Sequence, residues 1–342
     1  MLVLFRKFRG WRQDRIRHNL LRAVVVLLSA YCLLLTAYCL LPSVPAQTPE
    51  PTDTIRIDTD LVNVSVSVFS RNKAPMNALE KKDFAVSEDG APQEITFFAS
   101  AETPFDLVLL LDLSGSTADK LKLIRTSSKR FVDAARPGDR IAVVTFTADV
   151  QVVSLLTPAH EALKTSIDQI AKPQGGTNFW DALRFVLEHI VGQSRVEGRR
   201  SAVVVMTDGV DNALPGVPGD GSATTFAELV EIGQRSDAIV LPIYLDTEKG
   251  AKQHGTPKSA YALARQQLTE LASESGNAVY QARKVKDLDG AYAQVIRDLS
   301  TVYSIGYRPT NRVRDGSWRA VAVQLIGRPE LVAHARRGYY AK

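Results

Sequence analysis

Residues Val108–Asp119 read VLLLDLSGSTAD, an apolar run that stops at an aspartate and gives way to two serines around a glycine. A short, continuously apolar run such as Leu107–Leu111 is what a strand covered on both faces requires. The carboxyl ends of such strands are where open α/β sheets gather ligands. Outward from this stretch, further strand-like runs occur at Ile141–Phe146, Val150–Leu155, Ala202–Met206 and Ile239–Leu245. Helical periods separate them at Ala118–Ala135, Ala159–Ile170, Phe179–Val191, Thr225–Arg235, Ala260–Ser275 and Leu288–Val302. The alternation predicts an α/β fold, a doubly wound and mostly parallel sheet of Rossmann-like type over residues 104–303.

On either side the pattern changes to period two. Residues 54–103 alternate, with Ile55 and Ile57 on one parity and Val62, Val64, Val66 and Val68 on the other, and residues 304–342 alternate again in SIGYRPT, WRAVAVQLI and LVAHARRGYY. Neither segment has enough strands for a sheet of its own. The expectation is one shared β-sandwich-like module flanking the central domain, preceded by a Pro-rich linker at 47–53.

The chain has 342 residues, 45% of them hydrophobic and 23% charged, ample for a sizeable core, and the disordered and collagen-like classes are excluded. Its net charge of +5 is unevenly placed: seven of the 42 basic and one of the 37 acidic residues precede residue 23, so the remaining 35 and 36 nearly cancel. No nucleic-acid footprint is left in the body. Residues 23–41 carry no charge and are long enough to span a bilayer, while Pro42 and Val44-Pro45-Ala46 resemble a cleavage site. Residues 23–46 therefore read as a signal peptide or a transmembrane anchor. Under either reading the basic flank 1–22 stays in the cytoplasm and the body is exported, held at the outer side of the inner membrane in the cell envelope or secreted. If the segment is uncleaved, the membrane is a partner through residues 23–41. Both cysteines, Cys32 and Cys39, lie inside it, so the body has no disulfide and no thiolate ligand.

Asp112, Ser114 and Ser116 occupy alternate positions directly after the first apolar strand, so one turn can bring three oxygens toward one point. Thr177 in GGTNFWDAL and Asp208 in VVVMTDG follow at the same predicted sheet edge. Hydroxyls with a carboxylate, and no imidazole or thiolate, suit a hard cation: Mg²⁺ first, with Mn²⁺ or Ca²⁺ as alternatives. Asp181 and Asp211 read as solvated or locally hydrogen-bonding residues and Trp180 as a packing residue. The Gly/Pro-rich stretch Gly209–Ser222 is a candidate rim beside Asp208.

Asp112, Ser114, Ser116, Thr177 and Asp208 together match the Asp-x-Ser-x-Ser, distant Thr and distant Asp of the metal ion-dependent adhesion site. In this the chain resembles the von Willebrand factor type A domain over about 200 central residues. Leader, β-rich flanks and the RRGYYA ending also resemble a bacterial exported group related to that family. The resemblance implies direct metal bonds from Ser114 and Ser116, Thr177 bound directly or through water, and Asp112 and Asp208 acting largely through water. It further implies an open coordination position for an Asp or Glu carboxylate of a partner protein, and no catalytic residues. Two other readings stand beside it. One is a scaffold with a structural metal. The other is a haloacid dehalogenase-like phosphatase with Asp112 as nucleophile and TDGVDN as its acidic motif, in which Ser114 stands where a general acid belongs.

Overall fold

The computed structural model describes residues 61–71, 78–115, 117, 121–171, 175–193, 199–248, 255–282 and 287–341. The leader and apolar segment predicted at 1–46 lie outside the described residues, as does Ser116. Among the described residues no helix is long and apolar enough to cross a membrane.

A six-stranded sheet forms the centre. Its strands are β5 (Phe105–Asp112), β6 (Arg140–Phe146), β7 (Val150–Thr157), β8 (Arg200–Thr207), β9 (Ile239–Leu245) and β10 (Tyr280–Ala282), in the order β10-β9-β8-β5-β6-β7. Every neighbouring pair is parallel except β6 with β7. All eight residues of β5 are buried, and the reason is visible in how they divide. Leu107, Leu109 and Leu111 enter one core with Ala202, Val204 and Met206 of β8, whereas Val108 and Leu110 enter a second core with Val203 and Val205. A strand that feeds a core on each face cannot alternate with polar residues. Each of these leucines contributes about 2 kcal/mol by burial.

Helices cover both faces. Against the first core lie α1 (Leu121–Ala134), which buries Ile124, Ser127, Ser128, Phe131 and Val132 at helical spacing, α2 (His160–Asp168) and α6 (Leu288–Leu299). Against the second lie α3 (Phe179–Phe185), α4 (Phe226–Arg235) and α5 (Lys258–Glu274). Thr225 and Glu228 close a capping box at the start of α4, the S/T-x-x-E arrangement that satisfies two orphan donors. The helix predicted over Phe179–Val191 is α only to Phe185. Val186–Val191 form a π turn, with the Gly192 N–H donating to the Leu187 carbonyl at 3.1 Å. The wider turn lines up residues four and five apart, so that Val186, Leu187, Ile190 and Val191 are all buried.

The flanking segments form two four-stranded sheets. β1 (Val62–Ser70), β4 (Ile95–Ala99), β11 (Val302–Tyr307) and β13 (Leu331–Ala335) run in the order β13-β1-β11-β4. β2 (Phe84–Glu88), β3 (Ala91–Gln93), β12 (Trp318–Leu325) and β14 (Gly338–Tyr340) run in the order β14-β12-β2-β3. Between them Val62, Val64, Val66 and Val68 pack on Phe84, Val86, Tyr303, Ile305, Tyr307 and Val321. Glu88, buried in this core, accepts from the Tyr307 and Tyr339 hydroxyls at 2.8 Å each. The α/β fold with a sandwich-like module drawn from both ends is thus the one the sequence predicts.

The other parity of β1 meets the central domain at the amino ends of its strands. Ser67 donates to Asn277 at 3.1 Å, and Arg336 approaches Asp237 at 3.9 Å. Arg200, at the start of β8, stacks over the Phe105 ring at 3.9 Å and donates to the Ala101, Thr103 and Val302 carbonyls. The site lies at the opposite, carboxyl ends of these strands.

Candidate metal centre

Asp112 is the last residue of β5, and Thr207 is the last of β8. The parallel register that sets Leu111 beside Met206 places Thr207 next to Asp112, and the Thr207 hydroxyl donates to Asp112 Oδ2 at 2.6 Å. Oδ1 accepts from the Ser114 N–H at 2.9 Å, so that the chain turns immediately after the strand. Thr117 closes the same turn by donating to the carbonyls of Asp112 (3.1 Å) and Ser114 (3.0 Å).

Asp208 repeats this arrangement one strand away. Its Oδ1 accepts from the Val210 N–H at 3.1 Å and its Oδ2 from the Thr247 hydroxyl at 2.5 Å. A backbone N–H and a threonine hydroxyl thus orient each carboxylate among its partners. The turn needs Gly209. Its φ is +74°, and a Cβ there would stand 2.8 Å from Leu268 Cδ1. The Thr207 hydroxyl also accepts from the Gly209 N–H at 2.8 Å, which ties the two aspartates' turns together.

Thr177 precedes α3 and is buried. Its N–H donates to Asn212 Oδ1 at 3.1 Å, and its carbonyl accepts from the Asn212 N–H at 2.9 Å, so the 209–222 loop holds it from both sides. Ser114, Thr177 and Asp208 line one cavity of about 180 Å³, walled also by Gly175, Gly176, Val217, Pro218 and Tyr261. Asp112 lies behind that surface, with no solvent exposure. Burial first, and the neighbouring Asp208 charge second, push Asp112 up to about 7, against the Ser114 and Thr207 hydrogen bonds. A carboxylate behind the cavity, a second that lines it and repels the first, and hydroxyls beside them are a donor set that a hard divalent cation fits. Among the described residues there is no group of three or more His, Cys, Asp or Glu arranged to hold a metal.

Of the two readings of Asp211, the hydrogen-bonding one holds and the solvated one does not. It is fully buried rather than solvated, accepting at Oδ1 from Ala213 N (2.8 Å) and Ser222 N (3.0 Å) and at Oδ2 from Trp180 N (3.0 Å) and the Ser222 hydroxyl (2.6 Å). It thereby ties the loop to the first turn of α3. Asp181 is also hydrogen-bonded, accepting from the Ala223 and Thr224 N–H groups, 42 and 43 residues on, at 2.8 Å each. Trp180 packs in the second core, as expected of it. Thr207 and Thr247 went unnoticed in the sequence. The hydroxyl directly before Asp208 is the one signal for Thr207, and none marks Thr247.

The von Willebrand factor type A domain model matches residues 106–294. The chain belongs to that family. The chain is similar in sequence to a UPF0353 protein of Nocardia farcinica (strain IFM 10152), 22% identical over 233 residues, which is 65% of this chain and 67% of the relative. Among solved structures it is similar to proximal thread matrix protein 1 of the mussel byssus, in a form with a zinc-occupied MIDAS motif, at 19% identity and a TM-score of 0.46 over 58% of this chain. The chain spans about half of that protein, 48% of its length. It is also similar to BatB of Bacteroides thetaiotaomicron, at 15% identity and a TM-score of 0.42 over 57% of this chain and 98% of the other. The von Willebrand factor domain of the type V pili tip protein Mfa5 of Porphyromonas gingivalis gives 15%, 0.43, 57% and 94%.

Proposed function

We propose that this type A domain is a binding module rather than an enzyme, holding one divalent cation through Asp112, Ser114, Ser116, Thr177 and Asp208 and capturing an Asp or Glu carboxylate of a partner protein. The observation that carries the reading is the pair of buried carboxylates, each fixed by an N–H and a threonine hydroxyl, Asp112 behind the cavity and Asp208 lining it with Ser114 and Thr177. With their oxygens already engaged, Asp112 and Asp208 would act mainly through bound water, and the hydroxyls would be the direct ligands. A cation with few anionic ligands keeps the Lewis acidity that attracts a further carboxylate. Mg²⁺ is the first candidate, with Mn²⁺ and Ca²⁺ offering the same hard-oxygen preference.

The same geometry disfavours the phosphatase reading. A nucleophilic carboxylate must reach a phosphorus atom, and Asp112 has no exposed surface and both oxygens hydrogen-bonded. The body is proposed to act on the exported side of the membrane, tethered or released according to the fate of residues 23–46.

Titration calorimetry of the full-length chain with MgCl₂ and MnCl₂ tests the reading. Binding in the micromolar to millimolar range, abolished by Asp112→Ala and by Asp208→Ala, is the expected result. No heat beyond dilution, or the same affinity in Asp112→Ala, would overturn it.

A further inference from the structure

Charge is segregated along this chain in a way the cation site does not use. Residues 304–342 carry eight Lys and Arg against two Asp and Glu, whereas residues 23–303 carry 27 against 34. The basic segment supplies β12 and β14 and the loop Arg308–Ser317 that joins β11 to β12. Arg308, Arg312 and Arg337 are exposed, and none of them forms an ion pair among the described residues. Asp89 and Asp315, the acids beside this loop, face Arg319 at 3.8 and 3.5 Å.

Beside these arginines the outward parity of the sheet β14-β12-β2-β3 is uncharged. Ala320 and Ala322 of β12 and Ala85 and Ser87 of β2 point away from the sandwich core, and Trp318 meets Tyr340 edge-on with ring centroids 5.1 Å apart. Trp318 and Tyr340 are each more than a third exposed, at 37% and 39%, and Val313 on the loop is 59% exposed. An uncharged face with a Trp-Tyr pair at one end and unpaired arginines at its rim matches the boundary layer of a bilayer, where aromatic rings sit at headgroup level and cations meet anionic lipid.

We propose that this face, with the Arg308–Ser317 loop, rests on an anionic lipid surface. Lipid fits better than an acidic polypeptide because the face offers neutral, small side chains over its area and confines the charge to its rim. Each arginine should strengthen the contact about fivefold at physiological salt. The central domain meets this module through Ser67 of the other sheet, through Arg336, and where α4 packs against the edge strand β14. The inference stands on charge and exposure and does not depend on cation binding.

The test uses the full-length chain in vesicles with Cys32→Ala and Cys39→Ala, so that one introduced cysteine carries a fluorophore. The label is placed at Ala322→Cys or, as a control, at Leu155→Cys on β7, which is 66% exposed on the central sheet. Lipid-borne nitroxide should quench the Ala322 label several-fold more in phosphatidylglycerol-containing vesicles than in pure phosphatidylcholine, and the Leu155 label equally in both. Arg308→Gln, Arg312→Gln and Arg337→Gln together should bring the first signal to the neutral-vesicle level. Val313→Asp, which touches no core, should lower it as well. An unquenched Ala322 label in anionic vesicles, quenching independent of lipid charge, or a response to soluble polyglutamate in place of lipid would overturn the proposal.

Discussion

At Asp112 and Asp208 the orienting groups are threonines, and their removal separates positioning from ligation. Thr207→Val deletes the 2.6 Å donor to Asp112 while keeping side-chain volume. Such outer contacts set ligand geometry, so cation affinity should fall by about 10- to 100-fold with the fold retained. Calorimetry on the Thr207→Val and Thr247→Val chains measures this, and unchanged affinity in both would mean that the hydroxyls only fill hydrogen bonds. Asp211 calls for a different readout. Asp211→Ala strands three backbone N–H groups and the Ser222 hydroxyl, which should cost on the order of 3 kcal/mol. A shifted urea midpoint is the expected result, and equal midpoints would show that water replaces the carboxylate.

The elements best seen in the sequence are those whose residues answer to a repeated physical demand. β5, β8 and β9 feed two cores and so are apolar throughout, and Asp112, Ser114 and Ser116 stand in a fixed local pattern after one of them. What escaped notice lacks a repeat. β10 is a three-residue edge strand, too short for a period. Thr207 and Thr247 reach partners 95 and 39 residues distant, and a single threonine carries no mark of that pairing. The helical pattern predicted to run to Val302 stops at Leu299, because Val302 already belongs to a strand, β11. That strand sets the next expectation. β1 lies between β11 and β13, so deleting residues 304–342 removes most of one neighbour and all of the other. Limited proteolysis should then cut within residues 61–99, protected in the intact chain. Equal protection would show that β1 to β4 hold a sheet without the C-terminal strands.

For the molecule as a whole, a cation bound only by the folded state adds stability by mass action, about 2.7 kcal/mol at a hundredfold excess over its dissociation constant. The thermal midpoint of the intact chain should rise with Mg²⁺ and return with chelator, and Asp112→Ala should show neither response. A rise that persists in Asp112→Ala would place the stabilising cation elsewhere.

The pairing of β1 with β11 bears on how the chain responds to load. The strands are antiparallel over six residue pairs, from Val62 opposite Tyr307 to Ser67 opposite Val302. The N-terminal segment joins β1 at the Val62 end, while the central domain joins β11 at Val302, the opposite end of the ladder. A pull between the two draws the strands past each other along their length. The hydrogen bonds run across that direction, so they resist together in shear instead of opening one at a time as a zipper would. Stretching the chain from residue 61 against a handle on the central domain should therefore give a single high rupture peak, and a staircase of low ones would show the ladder peeling from one end.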